Sequence, residues 1–98
     1  MTRDEALKRL VPHEADLRAS GVKALYLFGS TARGDARDDS DVDLACEIDD
    51  KFDMGLMQFA GIQINLEALL GSKVDLVERE ALRPRVRARV EPELVKVF

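Results

Sequence analysis

The sequence predicts an α+β (mixed α/β) domain in which helices flank a small sheet, and three observations carry that reading. Residues 23–28 and 73–77 are short apolar runs of strand length, and residues 41–48 alternate apolar and polar side chains with a period of two. Residues 3–17 and 54–70 repeat their apolar side chains at helical spacing. Between the first two strands lies a glycine-, serine- and aspartate-rich loop. The order is α-β-α-β-α-β-α, the second helix being a single turn near residues 31–33 inside that loop. A chain of 98 residues fits one domain spanning 1–98, since domains run from about 50 to about 250 residues.

Each element has a local cause. Thr2 and Glu5 form a capping box, after which Leu7, Leu10, Val11 and Leu17 line one face as far as Gly21. Pro12 lacks an amide hydrogen and so kinks or divides this helix. Residues 23–28, which include Tyr26 and Phe28, read as a buried strand bounded by glycines. In residues 41–48, Val42, Leu44, Cys46 and Ile48 fall on one side and Asp41, Asp43, Ala45 and Glu47 on the other. Asp53 is placed to cap the long helix and Gly71 to close it. That helix carries two apolar stripes. Leu56, Phe59, Ile62, Leu66 and Leu70 form one, and Met57, Gly61, Ile64 and Ala68 form the other. An outer helix needs only one such stripe, so the second is free for a partner. Residues 85–90 fit helix or strand, and Pro92 ends them.

Charge and composition narrow the function. Hydrophobic residues make up 46% and charged ones 35%, with nineteen acids against fifteen bases and a net charge of −4. This balance argues against stable nucleic-acid binding. No run approaches the roughly 20 apolar residues of a membrane span, and Cys46 is the only cysteine, so a soluble cytoplasmic setting is expected. Nine acids lie between residues 35 and 53, and Arg79, Arg83, Arg85, Arg87 and Arg89 crowd the C-terminal part. The arginines read as a solvated or partner-facing patch. His13 reads as a surface residue, Cys46 and Tyr26 as core.

Three fragments bear chemistry. Gly29-Ser30-Thr31-Ala32-Arg33-Gly34 follows a strand directly, where a glycine turn with successive amides accepts a phosphate, though such a turn is often only a turn. Asp41 and Asp43 sit two apart on one strand face, about 7 Å apart along the backbone, so both carboxylates reach one cation; a solvated acidic face is the plainer account. An EF-hand count through Asp39, Asp41, Asp43 and Asp50 fails, because Leu44 stands where that loop needs glycine. Asp75 interrupts an apolar strand, which is costly for a lone charge unless it faces water at a sheet edge or joins the other two acids. Three oxygen donors on adjacent strands suit Mg²⁺ or Mn²⁺.

Taken together, Gly29-Ser30-x-x-Arg33-Gly34, Ser40-Asp41-x-Asp43-Leu44 and the lone Asp75 resemble the signature of the minimal nucleotidyltransferases, relatives of the DNA polymerase beta palm. The resemblance spans the whole chain. It implies a mixed sheet with flanking helices and a nucleotide site at Gly29, Ser30, Arg33 and Ser40. It also implies a catalytic metal triad of Asp41, Asp43 and Asp75 holding Mg²⁺ or Mn²⁺, with ATP as substrate. For Arg33, an ion pair to the acidic loop accounts equally well for its position. Small proteins of this family accompany a HEPN toxin and act as its antitoxin, some by moving AMP to a tyrosine hydroxyl of that toxin, so a hetero-oligomer is expected. A non-catalytic antitoxin that occludes its partner is the alternative, and nucleotidyl transfer to a small molecule a further one. With nearly every residue committed to sheet, helices and site, the acceptor surface is expected on another chain.

Overall fold

The computed structural model describes residues 1–98. Helix α1 (Arg3–Leu10) starts where the Thr2 hydroxyl accepts the Glu5 amide at 3.1 Å, as the capping box requires. Pro12 divides the N-terminal helical segment: a 3₁₀ turn (Val11–His13) separates α1 from α2 (Glu14–Ala19). Strand β1 (Val22–Phe28) runs into a one-and-a-half-turn helix α3 (Gly29–Arg33), and β2 (Val42–Ile48) comes after the acidic loop. Helix α4 (Leu56–Leu70) is closed by Gly71 at φ 66°. Its N-cap is Gly55, so Asp53 does not cap it; the helix starts three residues beyond that aspartate. Strand β3 (Val74–Glu78) leads through a 3₁₀ turn (Arg79–Ala81) to α5 (Pro84–Val90), which settles residues 85–90 as helix. After a 3₁₀ turn (Glu91–Glu93), the chain adds a strand that the sequence pattern did not reveal, β4 (Val95–Lys96).

The sheet order is β3-β2-β1-β4, with β1 antiparallel to both β2 and β4, and β2 parallel to β3. It is therefore a mixed sheet. Two residues of β4 escape a periodicity test, but the chain around them is committed: Val97 donates to the Leu25 carbonyl at 2.8 Å and Leu25 donates to Phe98 at 3.1 Å.

The faces divide by chemistry. Leu25, Leu27, Val42, Leu44, Cys46, Val74 and Leu76 belong to one core cluster with Leu10, Leu17, Ile62, Leu66 and Leu70 of the helices. Burying a side chain of this size contributes about 1.5–3 kcal/mol each. Cys46 lies in this core, its thiol pushed up to about 12 by burial and then by Glu78 and Glu47, so it is unreactive at neutral pH. The other face carries Asp43, Asp75, Glu47 and Tyr26. Tyr26 is only half-buried, and its hydroxyl accepts from Arg79 at 3.2 Å.

Arg79 does not belong to an exposed arginine patch. It bonds Glu47 at 2.9 Å and takes Glu91 through two nitrogens at 2.9 and 2.7 Å, with its guanidinium 5.0 Å from the Tyr26 ring centre. The hydrogen bond to Glu91 is the main cause raising its pKa. This bidentate pair ties the C-terminal segment to the sheet, whereas Arg83, Arg85 and Arg89 stay exposed without ion-pair partners. Arg79→Ala is expected to lower the thermal unfolding midpoint by several degrees and Arg85→Ala by almost nothing, as differential scanning fluorimetry would show.

Candidate active site

The site begins where β1 stops. Phe28 pairs with Asp43 across the β1–β2 ladder, and the next residue, Gly29, takes φ 72° to turn the chain into α3. A Cβ at Gly29 would overlap the Asp43 carboxylate. Only glycine meets both demands, the left-handed backbone and the close approach. Ser30 comes next at the start of α3, half-buried, with its carbonyl accepting the Gly34 and Asp35 amides at 3.0 Å each. Gly34 then ends the helix at φ 84°.

The structure brings the three acids to the same end of the sheet. Asp75 is in register with Asp43 on the parallel β2–β3 pair, so their side chains leave the same face on strands about 4.8 Å apart. Asp41 precedes β2 by one residue and is exposed, as is Asp75, while Asp43 is half-buried. Asp75 thus lies on an edge strand facing water and also beside Asp43. Desolvation, then the charges of Asp75 and Asp41, hold the Asp43 carboxyl above the ordinary carboxylate range, and Arg33 offsets part of this. No basic side chain is ion-paired with any of the three.

These residues fit a hard divalent cation of the Mg²⁺ kind. Their donors are all oxygens, and no side chain is ion-paired with Asp43, whose like-charged neighbours Arg33 offsets only in part. They do not close into a ready-made cage of three ligands. That openness suits Mg²⁺, which is held by one or two carboxylates and completes its shell with water and substrate phosphates.

The remaining sequence candidates separate. Arg33 bonds Asp35 at 3.2 Å and Glu93 at 3.1 Å, so it pairs both with the acidic loop and with the C-terminal segment. The hydrogen bond to Asp35 is the main cause raising its pKa. The Ser40 hydroxyl accepts the Arg37 amide at 3.0 Å and closes the loop turn before β2. His13 lies at the surface, 4.0 Å from Asp16. Glu93 has no counterpart among the residues that sequence spacing singles out: its carboxylate accepts the Gly29 amide at 3.3 Å across 64 residues. No spacing rule signals such a pair.

A second surface runs along β3 from Leu76 to Glu78 and past the end of β2 at Ile48. Ile48, Phe52, Met54, Phe59, Leu76 and Leu82 line most of a groove of about 780 Å³, whose charged side chains are all acidic: Asp49, Asp50, Glu78 and Glu80. Leu56 does not join the core stripe of α4. It overhangs this groove at 85% exposure, beside Met57 at 86%, and Ile64 is 65% exposed. The whole second stripe, Met57, Gly61, Ile64 and Ala68, is thus uncovered.

A mixed four-stranded sheet with a glycine-serine turn set against in-register aspartates defines a nucleotide-transferring domain. The chain belongs to the nucleotidyltransferase domain family, whose profile matches residues 5–97, and it is an enzyme of that class. It is similar to the protein adenylyltransferase MntA of Thermococcus cleftensis, 37% identical over 98 residues, covering 99% of this chain and 97% of that one. A solved structure described as a candidate minimal nucleotidyltransferase superposes with a TM-score of 0.78 at 35% identity, covering 97% of this chain and 95% of the other. A crystal structure of a toxin-antitoxin with AMP-PNP shares the fold, with a TM-score of 0.71 at 21% identity, covering 100% of this chain and 73% of that one.

Gly29→Ala is expected to destabilise the fold by at least about 1–2 kcal/mol, the cost of a Cβ in the left-handed region, and to displace the Asp43 carboxylate. Urea unfolding monitored by circular dichroism measures this. Asp43→Asn tests the electrostatics. A carboxyl whose pKa is raised on folding lends stability below its unfolded value, which is lost as pH rises through the folded value. At pH 7 the Asp43 charge therefore opposes folding. The Asn variant is expected to melt higher than wild type at pH 7, and the gap is expected to shrink as pH falls into and below the carboxylate range.

Proposed function

We propose that this protein transfers AMP from ATP to a hydroxyl, most simply a tyrosine, of a partner HEPN-type toxin and so serves as its antitoxin. The observation that carries the reading is the contact of Gly29 with Asp43 together with the Asp43–Asp75 register. A phosphate-accepting turn and a pair of carboxylates meet at one point. The likeness to a protein adenylyltransferase along nearly the full length of both chains supports a protein as acceptor.

In this reading Gly29 and Ser30 receive the triphosphate, Arg33 supplies positive charge beside it, and Ser40 holds the loop that frames it. The acceptor oxygen attacks the α-phosphorus, the bond to the β-phosphate oxygen breaks, and pyrophosphate leaves. Asp75, exposed on the edge strand, takes the proton from the hydroxyl. Asp41 and Asp43 would hold Mg²⁺ or Mn²⁺, which supplies charge stabilisation at the attacking and leaving oxygens when bound.

The test uses ATP labelled at the α or the γ phosphorus, with Mg²⁺ and the co-expressed partner. Label is expected on the partner from the α position alone, and Asp43→Ala is expected to reduce it at least about 100-fold, a loss typical of an electrostatic catalytic group. Label from the γ position would make the protein a kinase instead.

Occlusion is a second reading, favoured by the uncovered Leu56, Met57 and Ile64 and the acid-rimmed groove. This surface suits a helix with apolar and basic side chains. If an Asp41→Ala, Asp43→Ala variant protects cells from the partner as well as wild type does, binding alone neutralises it.

A further inference from the structure

Glu93 has no part in the reaction described above, yet it occupies donors that the reaction needs. Its Oε2 accepts the Gly29 amide at 3.3 Å and its Oε1 accepts Arg33 Nη1 at 3.1 Å. Arg33 is its only ion-pair partner, and its side chain is 30% exposed. It arrives from the 3₁₀ turn that begins at Glu91, directly before β4. Pro92 stiffens that turn, and pairing with β1 anchors the strand beyond it.

A carboxylate and a phosphate present the same thing to these donors: anionic oxygens that accept charge-assisted hydrogen bonds. The Gly29 amide has a single hydrogen to give. Glu93 also stands near enough to Asp43 to be one of the charges acting on it, so an incoming triphosphate would add to a crowd of negative groups. The two anions cannot both take the one hydrogen of the Gly29 amide, whereas Arg33, which already bonds Asp35 and Glu93 through different nitrogens, has a further nitrogen to offer a phosphate.

We propose that Glu93 is a built-in stand-in for phosphate. It fills the turn in the nucleotide-free protein, keeps Gly29 and Arg33 oriented toward that position, and is displaced when a triphosphate binds. The proposal rests on the nucleotide reading of the Gly29–Ser30 turn. It adds that occupancy of the turn is contested by the chain's own C-terminal segment, which sets the affinity for nucleotide below what the turn alone would give.

The test compares the binding of N-methylanthraniloyl-ATP and of adenosine to wild type and to Glu93→Gln. Glutamine has the same shape and still accepts the Gly29 amide, but it lacks the charge. The variant is expected to bind the triphosphate roughly tenfold tighter, the scale of one charged hydrogen bond, with adenosine affinity unchanged. Equal or weaker triphosphate binding by the variant overturns the proposal, as does an equal gain for adenosine. If Glu93→Gln fails to fold, Glu93→Asp withdraws the carboxylate by one methylene, and a smaller gain confined to the triphosphate is expected; no gain overturns the proposal. Binding of the triphosphate by neither protein removes the nucleotide reading of the turn and this proposal with it, whereas binding by wild type without the gain removes this proposal alone.

Discussion

The approach of the Gly29 backbone to the Asp43 carboxylate is the constraint on which the site depends. Antiparallel pairing sets Phe28 opposite Asp43, so the residue leaving β1 must turn directly over the carboxylate of the second residue of β2. Any side chain there would collide with it. The turn, the short helix α3 and the first carboxylate are therefore one unit, and the parallel pairing of β2 with β3 extends it to Asp75. The core on the opposite face, with Leu44 and Val42 fully buried, holds the register. A slip of one residue would turn those leucine and valine side chains outward and the aspartates inward.

A second tie holds the chain's end to the same face. Arg79 joins Glu47 on β2 to Glu91 beyond α5, and Glu93 reaches Gly29 and Arg33. Both links run from the segment beyond β3 to residues far earlier in the chain. They fix the chain on either side of α5, a helix with Val90 as its one buried side chain.

Much of this was legible from residues alone, for identifiable reasons. Alternation in β2 is visible because one face is core and the other polar, and Gly71 is visible because a helix end needs a left-handed residue. The Asp-x-Asp pair and Gly29-Ser30 announce themselves through short local spacing. The hidden part is non-local. The two residues of β4 carry no period, Glu93 finds Gly29 only through the fold, and Arg79 sits among other arginines with nothing in the sequence to mark it as the one paired with Glu47 and Glu91. Leu56 misled because helical periodicity assigns a face but not whether a neighbour covers it. Asp53 misled because Gly55 takes the cap.

Strand β2 also acts as a ruler. Its seven residues, Val42–Ile48, span about 20 Å at a rise of roughly 3.3 Å each; the aspartates lie at one end, and Ile48 at the other borders the acid-rimmed groove, which runs back along β3 as far as Leu76. A protein seated on the groove would reach the aspartates only around the edge of β3, since Leu76 leaves one face of the sheet and Asp75 the other. Grip and chemistry would then belong to different faces of one sheet, so that a change on either face could leave the other intact.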